Sequence, residues 1–281
     1  LRPDNSKTDA WPEVERAIAD IALLDVHMES KQAASVAIVT AAESFWVTDI
    51  ERQSESYRYD EVQFGYYHAL RCNGVSVDFV SADEDFDAYR LIVVPCLPIV
   101  DDAFVDKCEQ CDATVVFGPR SGSKTADFGF PPSLPPGPLQ RIAPLKVLSV
   151  ETLRPDCAES LAWNQKQYDS VIWREELDAP GADVLARYDD ESAAVVRFDR
   201  IIYVGTLTSA EFLQDFLNHL CSEAGVITRD LPADVRVERR GNLTFAFNYS
   251  DEEQELLLDE KAEILLGESN VQPHDVTVWR R

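Results

Sequence analysis

Two apolar runs, Leu91-Ile92-Val93-Val94-Pro95 and Thr114-Val115-Val116-Phe117-Gly118, flank the stretch Asp102-Ala103-Phe104-Val105-Asp106-Lys107-Cys108. The outer runs are short and continuously apolar, as in strands covered on both faces. The middle stretch carries apolar residues at helical spacing, and a strand–helix–strand succession implies parallel strands joined by a right-handed crossover. The same pattern extends outward. Val36–Thr40 reads as a buried strand, Tyr59–Asn73 as a helix with Val62, Tyr66, Ala69 and Leu70 on one face, and Val75–Val80 as a strand. Gly74 supplies the left-handed cap between the last two. Downstream, Ala194–Phe198 and Ile201–Leu207 read as strands, and Ser209 caps a helix that runs to Ala224 before Gly225. The fold expected is α/β, a doubly wound and mostly parallel sheet.

The two ends read differently. Residues 1–30 form a leader with one helix, where Thr8 and Asp9 are cap-type residues and Pro12 suits a first turn. Val14, Ile18 and Ile21 repeat along one face, and a lone helix cannot bury such a stripe by itself. From about Leu231 the period changes to two. Val235–Arg239 and Leu243–Asn248 alternate around the hairpin signal Gly241-Asn242. Leu256–Leu258, Ile264–Leu266 and Val276–Trp279 add short strands, so a small antiparallel β domain ends the sequence. Between the halves, Gly118–Pro144 holds seven prolines, and no regular element is expected there. A loop of that length inside a domain is usually functional or interfacial.

The chain has 281 residues and carries 51 Asp+Glu against 26 Lys+Arg, a formal charge of −25. That balance excludes a nucleic-acid backbone or an anionic membrane as partner. No apolar run reaches the roughly 18 residues of a membrane span, and no basic-then-apolar signal opens the sequence, so a cytoplasmic location is expected. Asp (28) exceeds Glu (23), and Lys (7) is scarce beside Arg (19). Short, strongly hydrated acids with few long apolar stems suit concentrated salt, where charge repulsion is screened over about 3 Å at 1 M. An acidic protein of ordinary salinity has the same signature, and both readings stand.

No motif here carries catalysis, cofactor binding or metal binding. Cys108-Glu109-Gln110-Cys111 is the one C-x-x-C among six cysteines, and neither a second ligand pair nor a thioredoxin-like helix start accompanies it. Gly118-Pro119-Arg120-Ser121-Gly122-Ser123-Lys124-Thr125 follows a strand and misses a phosphate loop by one glycine. The proline-rich segment behind it cannot supply the helix whose N-terminus would hold the phosphate. Cys96 follows a strand, where amidotransferases carry a nucleophile, but Pro95, Leu97 and Pro98 surround it and no His-x-Glu pair is near. Glu43 lies just past the first strand beside Phe45 and Trp46. The carboxyl end of a parallel strand is a ligand-binding position, so this trio either faces a sugar or is a loop carboxylate beside aromatics packed on a partner.

Several segments together resemble one family. Val36–Trp46, Tyr89–Pro95, Gly118–Lys124, Phe128, Leu134–Leu139, Gly181–Tyr188 and Tyr203–Thr206 are similar, in order, to the C-terminal half of glycoside hydrolase family 42 β-galactosidases. The resemblance implies a class I amidotransferase-like trimerisation domain over residues 31–229 and a small antiparallel β domain over 230–281. It also implies that residues 1–30 hold the last helix of a (β/α)8 barrel. In that family the barrel carries both catalytic glutamates, and any zinc-binding cysteines, so no catalytic residue transfers to this sequence. The implied role is a non-catalytic assembly module of a retaining β-galactosidase, partnered by itself as a homotrimer and by the barrel. Glu43, Phe45, Trp46, Arg120 and Lys124 are its interface or ligand-adjacent candidates. The alternative is a stand-alone enzyme or small-ligand binder on an amidotransferase-like fold.

Overall fold

The computed structural model describes residues 1–25, 34–232, 234–256, 258 and 261–280. It divides into two compact units, Ala34–Arg229 and Leu1–Ala33 with Asp230–Arg281. The first helix, α1 (Trp11–Leu24), belongs to the second of these. Pro12 sits in its first turn as expected, but Ala10 is the N-cap and neither Thr8 nor Asp9 caps it. The Thr8 backbone instead turns back, its carbonyl accepting from Trp11 N at 3.0 Å. Leu24 packs on Leu243 and Val278, while Ile18 and Ile21 stand 59% and 62% exposed.

The larger unit begins with β1 (Val36–Thr40), α2 (Ala42–Ile50), α3 (Tyr59–Cys72), β2 (Val77–Ser81), β3 (Leu91–Val94), α4 (Asp102–Gln110) and β4 (Thr114–Phe117). A 3-10 turn at Gly137–Arg141 lies inside the proline-rich segment, contrary to the expectation that no regular element survives there. Pro138 serves the turn rather than breaking it, because its fixed φ suits a first helical position. Then come β5 (Lys146–Thr152), β6 (Glu159–Trp163), β7 (Lys166–Asp178), β8 (Asp183–Tyr188), β9 (Ala193–Phe198), β10 (Ile201–Val204), β11 (Thr206–Thr208) and α5 (Ala210–Glu223).

Five strands, in the order β2-β1-β3-β4-β10, are mutually parallel, with Val36 opposite both Val77 and Leu91. The four inner strands β1, β3, β4 and β10 bury both faces, while the edge strand β2 leaves Phe79 half exposed. Val36, Ile38, Leu91 and Val93 meet Tyr66 and Leu70 of α3 and Phe212, Phe216 and Leu220 of α5. Ala37, Ile92, Val94 and Val115 meet Phe104, Val105 and Cys108 of α4 on the other side. That double burial is why these runs are apolar without alternation.

The sheet is not mostly parallel, however. From β9 outward through β8, β6, β7 and β11, with β5 beside β7, every pairing is antiparallel. The reason is local turn chemistry. Asn164 and Gln165 both take positive φ, the conformation of a two-residue hairpin turn, and so join β6 directly to β7 with no crossover helix. The result is a mixed sheet whose parallel half is doubly wound.

The smaller unit continues with β12 (Val235–Arg240), β13 (Leu243–Asn248), β14 (Gln254–Glu255), β15 (Glu263–Leu266), β16 (Asn270–Val271) and β17 (Val276–Arg280). The expected hairpin forms, pairing Arg240 with Leu243, and β17 and β15 extend it into an antiparallel sheet. Leu256–Leu258 was expected as a strand. Only Gln254–Glu255 pairs there, with Asn270 and Val271, while Leu256 and Leu258 pack against Val235 and Trp279 instead. None of the described helices is long and apolar enough to cross a membrane.

Candidate functional site

The chain order β1-β2-β3 and the spatial order β2-β1-β3 place a reversal between β1 and β3, the position where doubly wound sheets open a crevice at their carboxyl ends. Two loops meet there. The segment after β3, Pro95–Pro98, is bonded to the segment after β4. Gly118 N donates to Val94 O at 2.8 Å, Gly122 N to Leu97 O at 2.9 Å and Lys124 N to Pro98 O at 2.9 Å. Ser121 Oγ donates to Gly118 O and accepts from Leu97 N. Arg120 takes a φ of +68°, which turns its side chain out of the run of the loop.

Helix α2, which follows β1, forms the opposite wall. Val47, Thr48, Glu51, Gln53, Pro98, Arg120, Ser123, Lys124 and Trp173 line a half-open cleft. Lys124 pairs with Glu51, donates to Phe128 O at 3.2 Å and lies 4.3 Å above the Phe130 ring. The Arg120 guanidinium sits 5.9 Å from the Trp173 ring, which stacks on Tyr57 at 4.4 Å. Behind Arg120, Glu175 is fully buried. Its Oε1 accepts from Arg120 N at 3.0 Å and its Oε2 from Tyr203 Oη at 2.8 Å. Burial pushes the Glu175 carboxyl above its ordinary range, against the pull of the nearby Arg120 charge.

Of the sequence-derived candidates, Arg120 and Lys124 come together in this cleft. Glu43, Phe45 and Trp46 do not line it. Glu43 is in the first turn of α2 rather than in a loop, where an acid complements the helix dipole. The helix was missed because nine residues with Ser44 and Val47 as the buried pair carry little periodicity. Phe45 meets the Tyr59 ring edge-on at 6.3 Å, and Trp46 is 53% exposed. Glu51, Trp173, Glu175 and Tyr203 were not singled out from sequence. Glu175 stands beside the exposed Glu176, and nothing in the two letters distinguishes them.

Cys96 is buried under the cleft beside Tyr57, and burial raises its thiol to about 11, so it is protonated at neutral pH. Cys108 is raised to about 12 and Cys221 to about 12 for the same reason, while Cys157 is exposed and Cys72 half-buried. A thiol reagent should therefore label Cys157 first and Cys72 more slowly in the native chain, and all six cysteines only after denaturation. Rapid native labelling at Cys96 or Cys108 would contradict the burial. Among the described residues no group of three His, Cys, Asp or Glu has a metal-binding arrangement.

Residues 34–227 match the family model for a β-galactosidase trimerisation domain, and residues 234–281 that for a β-galactosidase C-terminal domain. A β-galactosidase of Thermus thermophilus is 36% identical over 278 residues, covering 99% of this chain and 43% of its own length. The β-galactosidase BgaH of Haloferax lucentense is 30% identical over 259 residues, with 87% of this chain and 39% of its own covered. The crystal structure of a β-galactosidase from the psychrophilic Marinomonas ef1 superposes with a TM-score of 0.94 at 29% identity, covering all of this chain and 44% of that one. The chain thus spans less than half the length of the relatives it matches. It belongs to the glycoside hydrolase family 42 β-galactosidases, of which it carries the trimerisation and C-terminal domains.

Proposed function

We propose that these 281 residues are the non-catalytic assembly module of a retaining β-galactosidase, forming a homotrimer through the unit Ala34–Arg229. The observation that carries this reading is the end-to-end match to the two domain families over less than half of the relatives' length. The domain division proposed is 31–229 for an amidotransferase-like trimerisation domain, 230–281 for the β domain, and 1–30 for the last helix of a catalytic barrel. The exposed stripe Val14, Ile18 and Ile21 supports the last of these, since such a stripe has a partner surface in a functioning protein. Glu43, Phe45 and Trp46 are proposed interface residues on α2. The working compartment is the cytoplasm, and neither nucleic acid nor membrane is a partner.

Retaining hydrolysis needs two carboxyls about 5–5.5 Å apart, one protonated and one ionised. The family resemblance assigns that pair to the barrel. The purified chain is therefore expected to have no activity on aryl β-galactosides, yet to scatter light as a species of three times 31.6 kDa. Activity should return when an upstream barrel is supplied. Turnover by the homogeneous chain alone would end the non-catalytic reading, and a monomeric mass at tens of micromolar would end the trimer reading.

The acid excess is proposed as a salt adaptation, supported by the likeness to a polyextremophilic β-galactosidase from the Antarctic haloarchaeon Halorubrum lacusprofundi. Thermal stability should then continue to rise with KCl beyond the roughly 0.15–1 M at which exposed charges are already screened. A midpoint unchanged from low to multimolar salt would show that the acidity has another origin.

A further inference from the structure

The unit Ala34–Arg229 leaves two apolar patches open. The first lies on α2, where Phe45, Trp46 and Ile50 are exposed, Ile50 to 69%. Phe130 of the proline-rich segment, 71% exposed, joins it through Lys124, which pairs with Glu51 and lies over the Phe130 ring. The second patch is on α3 and β2. Phe64 and Phe79 are 59% and 50% exposed there, and Tyr67 links them, its ring 6.3 Å from Phe64 and 5.5 Å from Phe79. The His68 ring meets Phe64 at 5.7 Å. Strand β2 ends the sheet, so this ring cluster stands at the rim of the unit.

Charge limits which surfaces two copies of this chain can share. A formal charge of −25 makes the copies repel, so a contact must form where acids are absent or matched. Both patches meet that condition. On α2, Asp49 pairs with Arg52 and Glu51 with Lys124. Glu43 sits in the first turn, where the helix dipole offsets its charge. The second patch is three aromatic rings and a histidine, whose charged form is positive. Aromatic surface with little net charge is what the buried centre of an interface is made of.

Symmetry decides how two such patches are used. A twofold dimer joins one patch to itself, whereas a closed ring of three is head to tail and needs two different surfaces on every copy. We propose that the α2 patch of one copy docks on the α3–β2 patch of the next, and that this single contact, repeated three times, closes the ring. The proposal rests on the homotrimer reading above and adds to it which surfaces meet.

The test is light-scattering mass of the full 281-residue chain and of two variants, alone and mixed. Trp46→Asp spoils the first patch and Phe79→Asp the second. Each should weaken association at least about thirtyfold, the lower bound for a central interface residue, and leave a species of 31.6 kDa where the wild type has three times that mass. Mixed in equal amounts, the two variants should form a species of twice 31.6 kDa and nothing larger, because one intact α2 patch and one intact α3–β2 patch remain between them. A wild-type melting temperature shows that a variant is folded, and Ile50→Asp and Phe64→Asp replace either variant that is not. Variants that stay trimeric beside a trimeric wild type overturn the pairing and leave the trimer reading standing. So does the loss of the trimer in only one variant, or a mixture that stays monomeric. A wild type that is itself monomeric or dimeric overturns both.

Discussion

Gly122→Ala is expected to destabilise the larger unit by roughly 2–5 kcal/mol, the sum of a left-handed backbone penalty and an overpacked contact. Gly122 has a φ of +65°, and a Cβ there would lie 1.9 Å from the carbonyl oxygen of Pro136. The obstacle is backbone rather than a side-chain tip, so it cannot swing away. Either the 118–124 loop or the Pro136 segment must move, and the first carries Arg120 and Lys124. Gly181→Ala is the control, since Gly181 also has positive φ (79°) but nothing within 4 Å of an added Cβ. It should cost only about 1–2 kcal/mol of backbone strain. A unit of about 200 residues loses roughly 2–4 °C of melting temperature per kcal/mol, so the two variants should separate clearly in a thermal scan. Equal melting temperatures would show that the contact with Pro136 is not tight.

Glu175→Ala is expected to cost roughly 3–5 kcal/mol, the range for breaking a buried charged network by removing one member. Its carboxylate accepts from Arg120 N and from Tyr203 Oη, so both donors lose their acceptor on truncation. Tyr203 is itself buried in the core beside Phe117 and Ile201 and has no route to water. Glu175→Gln retains one carbonyl oxygen and should cost less. It should also alter the pH profile in a defined direction. The folded-state pKa is raised above the ordinary 4.5, so the native chain holds this proton more tightly than the unfolded chain does. The associated stability is complete below 4.5 and is lost as pH rises through the folded value. Subtracting the Glu175→Gln urea profile from the wild type should therefore leave a component that falls with rising pH. Differences are the right measure, because Asp190, Asp215 and Glu223 have lowered pKa values and slope the other way. A flat difference from pH 4 to 8 would show that Glu175 titrates normally.

The parallel half of the sheet was legible in the sequence because its determinants are local. A strand buried on both faces must be apolar throughout, as Leu91–Val94 is, and its helices must carry one apolar stripe, as Phe212, Phe216 and Leu220 do. The terminal hairpin was legible for the same reason, since Gly241-Asn242 states its turn. The net charge followed from composition alone. The antiparallel half was decided only in three dimensions. Strand β7 reads Lys166-Gln167-Tyr168-Asp169-Ser170 before it reaches Val171, a polar stretch whose place in a sheet depends on neighbours far along the chain. The cleft depended on those neighbours too. Arg120 and Lys124 could be named in advance, because they stand in the Gly118–Lys124 stretch that carries the family resemblance. Trp173 and Glu175 lie some fifty residues away, and they reach Arg120 because β7 pairs with β11 and Glu175 N donates to Gly205 O, the residue that joins β10 to β11. Burial separates Glu175 from Glu176 in chemistry, and burial is a property of the packed sheet rather than of either residue.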